Sequence, residues 1–251
     1  MIYDRPRFLP GGDSALFVEF GDVIDPELNR RVSELHFAIQ QADLTGIVES
    51  VPAYGSLLVY YEPLLICSED LMVELERLAR RAQASAFPGP MVTEIPTLYG
   101  GEQGRDLDFV AQHNGLSAEE VIQLHSERYY LIYMLGFIPG FPYLGGMSPR
   151  ISAPRLATPR AKIPAGSVGI AGGQTGVYPA ESPGGWRIIG RTPLELFHAG
   201  RRPPALLQTG NYVRFVRITG SDFSRISEQL QLGTYRIRQY AFAGETQDEG
   251  V

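Results

Sequence analysis

Pro159–Pro193 reads PRAKIPAGSVGIAGGQTGVYPAESPGGWRIIGRTP, and its texture decides how the second half of the chain folds. The β-prone runs Ser167–Ala171, Gly176–Tyr178 and Trp186–Gly190 are cut apart by glycine and proline at intervals too short for helices. A further run at Tyr212–Ile218 has the same character, and together they predict a compact β-barrel. Upstream, Gly136–Gly146 (GFIPGFPYLGG) is equally dense in turn residues. Before it, Ser117 and Glu120 have the spacing of a capping box, which opens a helix expected to run to about Leu135. Asp106–His113 reads as a shorter helix, and Tyr99–Leu107 (YGGEQGRDL) as a glycine-rich connection.

Working outward to the N-terminus, strand and helix signals alternate. Ser14–Phe20 (SALFVEF) alternates apolar and polar positions, as a half-buried strand does. Asp25 and Pro26 suit the cap and first position of an amphipathic helix that ends near Asp43. Ile47–Val51 and Ser56–Tyr61 read as a hairpin, Ser68 as the cap of a second helix, and Met91–Leu98 as a strand after Pro88-Gly89-Pro90. The order β-α-β-β-α-β predicts a ferredoxin-like first domain. The expected fold class is α+β, with that domain over residues 1–99, the barrel over 100–220 and a polar extension over 221–251, frayed from Gly244.

Composition narrows the function classes. The chain has 251 residues, 44% hydrophobic and 20% charged, with a formal net charge of −6. A surplus of acid repels phosphate backbones and anionic lipid, so neither nucleic acid nor a membrane is expected as a partner. The single cysteine, Cys67, cannot form an internal disulfide, and Met1 is followed by the polar Tyr3-Asp4-Arg5. The expected compartment is therefore the bacterial cytoplasm. Lys162 is the only lysine, and nothing around it has the GxxxxGK form of a phosphate-binding loop. Four scattered histidines give no metal-ligand spacing, so no metal site is expected, and no GxSxG elbow presents a serine.

The candidate site lies in the two turn-dense stretches. Glycines such as Gly166, Gly184 and Gly185 let backbone approach a ligand and expose amides that could hold a developing oxyanion; tight barrel corners also require glycine. His125 sits on the capped helix with Val121, Tyr129 and Ile132 near its face, either as a general acid or base or as a satisfied core histidine. His36, His113 and His198 read as structural or surface residues. Arg160 offers a guanidinium fork for a carboxylate. Ser167, Gln174 and Tyr178 supply neutral donors and acceptors for a small-molecule substrate, and Phe141, Tyr143 and Trp186 apolar walls.

The same stretches carry a resemblance. GFIPGFPYLG, PR, IPAGSVGI, QTGVYP and SPGGW before a GxT turn are similar to the signature of the family of 5-oxoprolinase B components, also known as allophanate hydrolase subunit 1 or sporulation-kinase inhibitor, with Ile163 in place of the usual valine. GDSAL at Gly12–Leu16, and YGG followed by Asp106-Leu107, add to it, and the resemblance covers most of the chain up to about Gly220. It implies a cyclophilin-like barrel and a role beside a related C component and a separate A component. Together these would open 5-oxoproline to glutamate with ATP, the ATP-binding chain being left open. It also implies that His125, within the family's recurrent Leu-His-Ser at 124–126, takes part in catalysis, and that Arg160 meets the ring carboxylate. Two other roles occur in related proteins: the carboxyltransferase half of urea carboxylase, which needs a biotin carrier, and inhibition of a sporulation histidine kinase.

Overall fold

Asp25 adopts extended backbone and its carboxylate accepts hydrogen bonds from the amides of Glu27 and Leu28, so the first helix starts where the sequence places it. This computed structural model describes residues 1–84 and 89–244. Contacts divide the chain into two compact units, Met1–Pro88 with Tyr133–Gly136 and Gln208–Gly210, and Gly89–Ile132 with Phe137–Leu207 and Asn211–Val251.

The first unit holds β1 (Ile2–Pro10), β2 (Ala15–Gly21), α1 (Pro26–Ala42), β3 (Ile47–Pro52), β4 (Ser56–Tyr61) and α2 (Ser68–Ala84). Its antiparallel sheet has the order β1-β2-β4-β3. Alternation puts Leu16, Val18 and Phe20 of β2 and Leu57 and Val59 of β4 on the inner face. There they meet Leu28, Val32 and Leu35 of α1 and Leu71 and Leu75 of α2. Each fully buried aliphatic side chain contributes about 1.5–3 kcal/mol, so this interdigitated layer is what holds the unit together. Asn29 is one of its buried polar residues: its amide nitrogen lies 3.0 Å from the carbonyls of Ala53 and Tyr133 and 3.2 Å from that of Tyr54.

The ferredoxin-like order requires correction at one strand. The run expected to complete this sheet, Met91–Leu98, pairs elsewhere, and β1 takes the edge position beside β2. The physical reason is burial. Val92 and Thr93 are buried in succession, and so are Ile95, Pro96 and Thr97, so both faces of the strand are covered. Such a strand suits the interior of a larger sheet better than an edge. At the start of α2 the Asp70 amide donates to Cys67 Sγ, at 3.5 Å, one residue before the expected Ser68 cap.

The second unit comprises β5 (Met91–Tyr99), α3 (Leu107–Asn114), α4 (Ala118–Ser126), β6 (Tyr129–Leu135, up to Ile132), β7 (Pro142–Gly145), β8 (Arg160–Ile163), β9 (Ser167–Ala171), β10 (Gln174–Val177), β11 (Ser182–Gly184), β12 (Arg187–Arg191), β13 (Tyr212–Arg217), α5 (Gly220–Gln231) and β14 (Gln239–Ala241). Seven strands run in the order β10-β9-β12-β5-β13-β6-β7, and β14 adds to β5. The outer strands β7 and β10 lie alongside each other, so the sheet nearly closes into a barrel. β8 and β11 form a separate two-stranded ribbon.

The capping box at Ser117 and Glu120 is present with both of its hydrogen bonds. Its helix stops at Ser126 rather than near Leu135, because Tyr129–Leu135 (YYLIYML) forms β6. A short, wholly apolar, aromatic-rich run is compatible with either element, and pairing with β13 decides for strand. The polar stretch after Gly220 contains α5, capped by Thr219 and Asp222. The fraying expected towards Val251 concerns residues that lie, from 245 on, outside the described ones.

Candidate functional site

Asp106 stands at the position that caps α3, yet its side chain makes no capping hydrogen bond. The carboxylate turns instead to the β8 and β12 strands. Arg160 Nη1 and Nη2 donate to its two oxygens at 2.7 and 2.8 Å, and the Ile188 amide donates to Oδ2 at 2.7 Å. Arg187 Nη1 lies 4.0 Å from Oδ1, with its guanidinium 3.5 Å from the centroid of the Phe109 ring. Burial tends to raise the Asp106 pKa, but the Arg160 hydrogen bonds, the Ile188 amide and the two guanidinium charges outweigh it and hold the carboxyl below its ordinary value. The same bonds hold the Arg160 guanidinium charged.

Beside Arg160 opens a shallow surface recess, lined by Glu102, Gln103, Arg105, Arg160, Lys162, Ser167 and Arg191 with Ile163, Pro164 and Ile188. Ile163 and Ile188 also belong to a buried cluster with Phe141 and Tyr178, against which Tyr143 and Trp186 pack. Phe141 is its hub, meeting Tyr143, Tyr178 and Trp186 edge to face with ring centroids 5.5, 5.7 and 5.5 Å away. Such aromatic pairs hold one another in fixed orientations. Burial raises the Tyr178 pKa, against the opposing charges of Arg155 and Arg160.

Two glycines are required by space. At Gly166, with φ of +79°, a Cβ would stand 2.2 Å from the Thr192 carbonyl oxygen, and at Gly184 it would stand 2.4 Å from the Tyr178 hydroxyl. Gly185 has room, its nearest neighbour to a Cβ being 3.7 Å away. The Gly166 and Ser167 amides already donate to the carbonyls of Tyr178 and Pro164, at 2.7 and 3.2 Å, so these two are committed to the turn.

His125 occupies different surroundings. It is completely buried, with Phe215 at a centroid distance of 4.4 Å and Tyr99 and Tyr130 beside it. Thr175 Oγ1 donates to the Gly169 carbonyl at 3.1 Å, so at 2.8 Å it accepts from His125 Nε2–H. Nδ1 is then the acceptor of the Tyr99 hydroxyl at 2.7 Å, which defines a neutral ring with its proton on Nε2. Burial lowers the His125 pKa to about 3.

Of the residues singled out in the sequence, Arg160 and Ser167 line the recess, and Phe141, Tyr143, Tyr178 and Trp186 form the cluster behind it. Gln174 sits at the β9–β10 hairpin, opposite Ala171, and neither it nor His125 lines the recess. Arg160 does not offer a vacant fork, because Asp106 takes both terminal nitrogens. The residues that sequence reasoning passed over are Asp106, Gln103, Arg105 and Arg191. Three of these belong to the glycine-rich 99–107 connection, whose polarity was the available signal. Among the described residues, no group of three or more His, Cys, Asp or Glu is placed to hold a metal ion, and no helix is long and apolar enough to cross a membrane.

The chain is similar to several known proteins along most of its length. The family model for the carboxyltransferase domain, subdomain C and D, matches residues 6–207. The B subunit of the Bacillus subtilis 5-oxoprolinase is 47% identical over 229 residues, 87% of this chain and 95% of its own length. A conserved uncharacterized protein of Pyrococcus horikoshii, of known crystal structure, is 51% identical, with a TM-score of 0.52 and coverage of 86% of this chain and all of its own. The Kluyveromyces lactis urea amidolyase, at 21% identity and a TM-score of 0.72, covers 94% of this chain, which spans 16% of that enzyme; this likeness is one of fold alone.

Proposed function

Because the chain belongs to the family of 5-oxoprolinase B components, within the carboxyltransferase subdomain C and D proteins, we propose that it is the B component of an ATP-dependent complex that hydrolyses 5-oxo-L-proline to L-glutamate. The observation that carries this reading is the identity to named B components along almost their whole length. In this reading it acts in the cytoplasm with the A and C components and is inactive alone. Its first unit is a variant of the ferredoxin-like arrangement, and its barrel is cyclophilin-like.

A lactam resists attack by water, since its carbonyl is stabilised by the ring nitrogen. ATP, a co-substrate of the whole complex, supplies the driving force for ring opening. This chain has no phosphate-binding loop, so the nucleotide is assigned to a partner or to a site that a partner completes. The recess before Arg160 is the place on this chain for the lactam: Gln103 and Ser167 can orient its amide, and Ile163 and Ile188 can lie against its methylenes. Arg160 acts as a positioning residue, fixing β8 to α3 through Asp106. His125 acts through the barrel core, where its locked tautomer ties α4 to the β5 and β10 strands, rather than by carrying a proton to substrate. Carboxyl transfer on a biotin carrier, the second enzymatic reading, has weaker support, from the carboxyltransferase family model and from urea amidolyase relatives at 24% identity.

The three purified components combined with 5-oxoproline and ATP should release glutamate, and omission of this chain should abolish it. An A and C pair that is equally active without it would remove the proposal.

A further inference from the structure

The recess carries more positive charge than its Arg160–Asp106 pair accounts for. The chain as a whole has a formal charge of −6, yet the lining brings Arg105, Arg160, Lys162 and Arg191 together, with Glu102 as the one carboxylate among the lining residues. Two of these cations are already engaged. Arg160 is held by Asp106, and Lys162 lies 3.1 Å from Glu181. Arg191 is anchored without being neutralised: Nε donates to the Ala165 carbonyl at 2.9 Å and Nη1 to the Gln103 side-chain oxygen at 3.4 Å. These neutral acceptors set the plane of the guanidinium, and among the described residues Nη2 has no hydrogen-bond partner. Arg105 is exposed, and among the described residues it makes no hydrogen bond or ion pair.

We propose that Arg105 and Arg191 form a clamp for the carboxylate of the small cyclic amide, and so decide which lactams the complex accepts. This deepens the function proposed above and rests on it. A planar guanidinium matches a carboxylate through paired, charge-assisted hydrogen bonds, and one oriented in advance loses less freedom on binding. With the carboxylate held at the Arg105–Arg191 side, the ring lies over Ile163, Pro164 and Ile188 and its amide comes within reach of Ser167 and Gln103. A lactam without the carboxylate, 2-pyrrolidinone, has nothing to engage the clamp.

The test uses the assembled complex, by calorimetry with 5-oxoproline in the absence of ATP and by turnover with both substrates. Arg105→Gln and Arg191→Gln should each weaken 5-oxoproline binding about ten-fold, the loss expected for a hydrogen bond to a charged group. The double variant should lose more and should narrow the preference for 5-oxoproline over 2-pyrrolidinone. Arg191→Lys should restore part of the affinity, and the KM for ATP should not move. Unchanged 5-oxoproline affinity in the double variant overturns the clamp. A rise in the KM for ATP with 5-oxoproline unaffected overturns it as well, since it places nucleotide phosphate at these arginines. A wild-type complex that binds 5-oxoproline through these arginines but releases no glutamate leaves the clamp standing and removes the proposed reaction.

Discussion

The surroundings of His125 and of Arg160 belong to the same unit and are built on opposite principles. Around His125 every polar atom is closed into a chain, from the Tyr99 hydroxyl through the imidazole to Thr175 and the Gly169 carbonyl, inside a wall of aromatic rings. Around Arg160 one face is closed, onto Asp106, and the other looks into a recess edged by cations. The first arrangement specifies a core, since a satisfied buried network has one geometry and no exit. The second specifies a site, since a fixed scaffold presents groups that still have valence to offer. Access, rather than residue type, separates the two.

Four experiments sharpen or break that contrast. His125→Ala should have the largest effect, a loss of about 3–5 kcal/mol in urea unfolding, because it opens a cavity and strands the Tyr99 hydroxyl; a loss near zero would mean that the network is not a core element. Asp106→Ala should cost about 2–4 kcal/mol, somewhat below the loss of a fully buried pair because Arg160 keeps 24% of its side-chain surface. Its activity should fall with stability, as the recess wall loses its anchor.

The third experiment is a pH series. His125 remains neutral in the folded chain down to about 3, whereas the unfolded chain protonates it near 6.5. Its contribution is therefore complete above 6.5 and is lost as pH falls towards 3, with a slope of at most about 1.4 kcal/mol per pH unit. His36, also lowered by burial, adds to the wild-type curve, so the His125→Gln minus wild-type difference is the quantity to measure. Asp106, with its pKa lowered, contributes fully above the ordinary carboxylate value of 3.8 and loses that contribution only as pH falls below it. Asp106→Asn should accordingly lower stability by a near-constant amount above 3.8, and its gap to the wild type should close only at the acid end. The smallest effect is expected at Glu181→Gln, which removes the exposed Lys162 partner and should change stability by less than about 1 kcal/mol.

Much of this architecture is readable from short-range signals. Asp25-Pro26 and Ser117 with Glu120 announce helix starts through local chemistry, and β9 coincides with the run Ser167–Ala171. What escapes is whatever depends on partners distant in the chain. β1 (IYDRPRFLP) has charges, two prolines and no clean alternation, and becomes a strand because β2 offers it an edge. The YYLIYML run of β6 could be helix or strand until β13 lies beside it. α5 is a different kind of miss, because its signal is local: Thr219 and Asp222 form a capping box, masked by the polar composition around them. The aromatic half of the site gathers as its motif density suggests. The charged half does not, since the Arg160–Asp106 bond joins residues 54 positions apart.

The pairing of β14 with β5 bears on how the chain is made. β5 is among the first strands of its unit to leave the ribosome, and its partners β12, β13 and β14 are among the last. Until they emerge, the hydrogen-bonding edges of a mostly buried strand wait without their neighbours. Contacts of such long sequence separation form slowly and leave that strand exposed to wrong pairings during synthesis. The barrel is thus completed from its oldest strand outward, once its last strands have emerged.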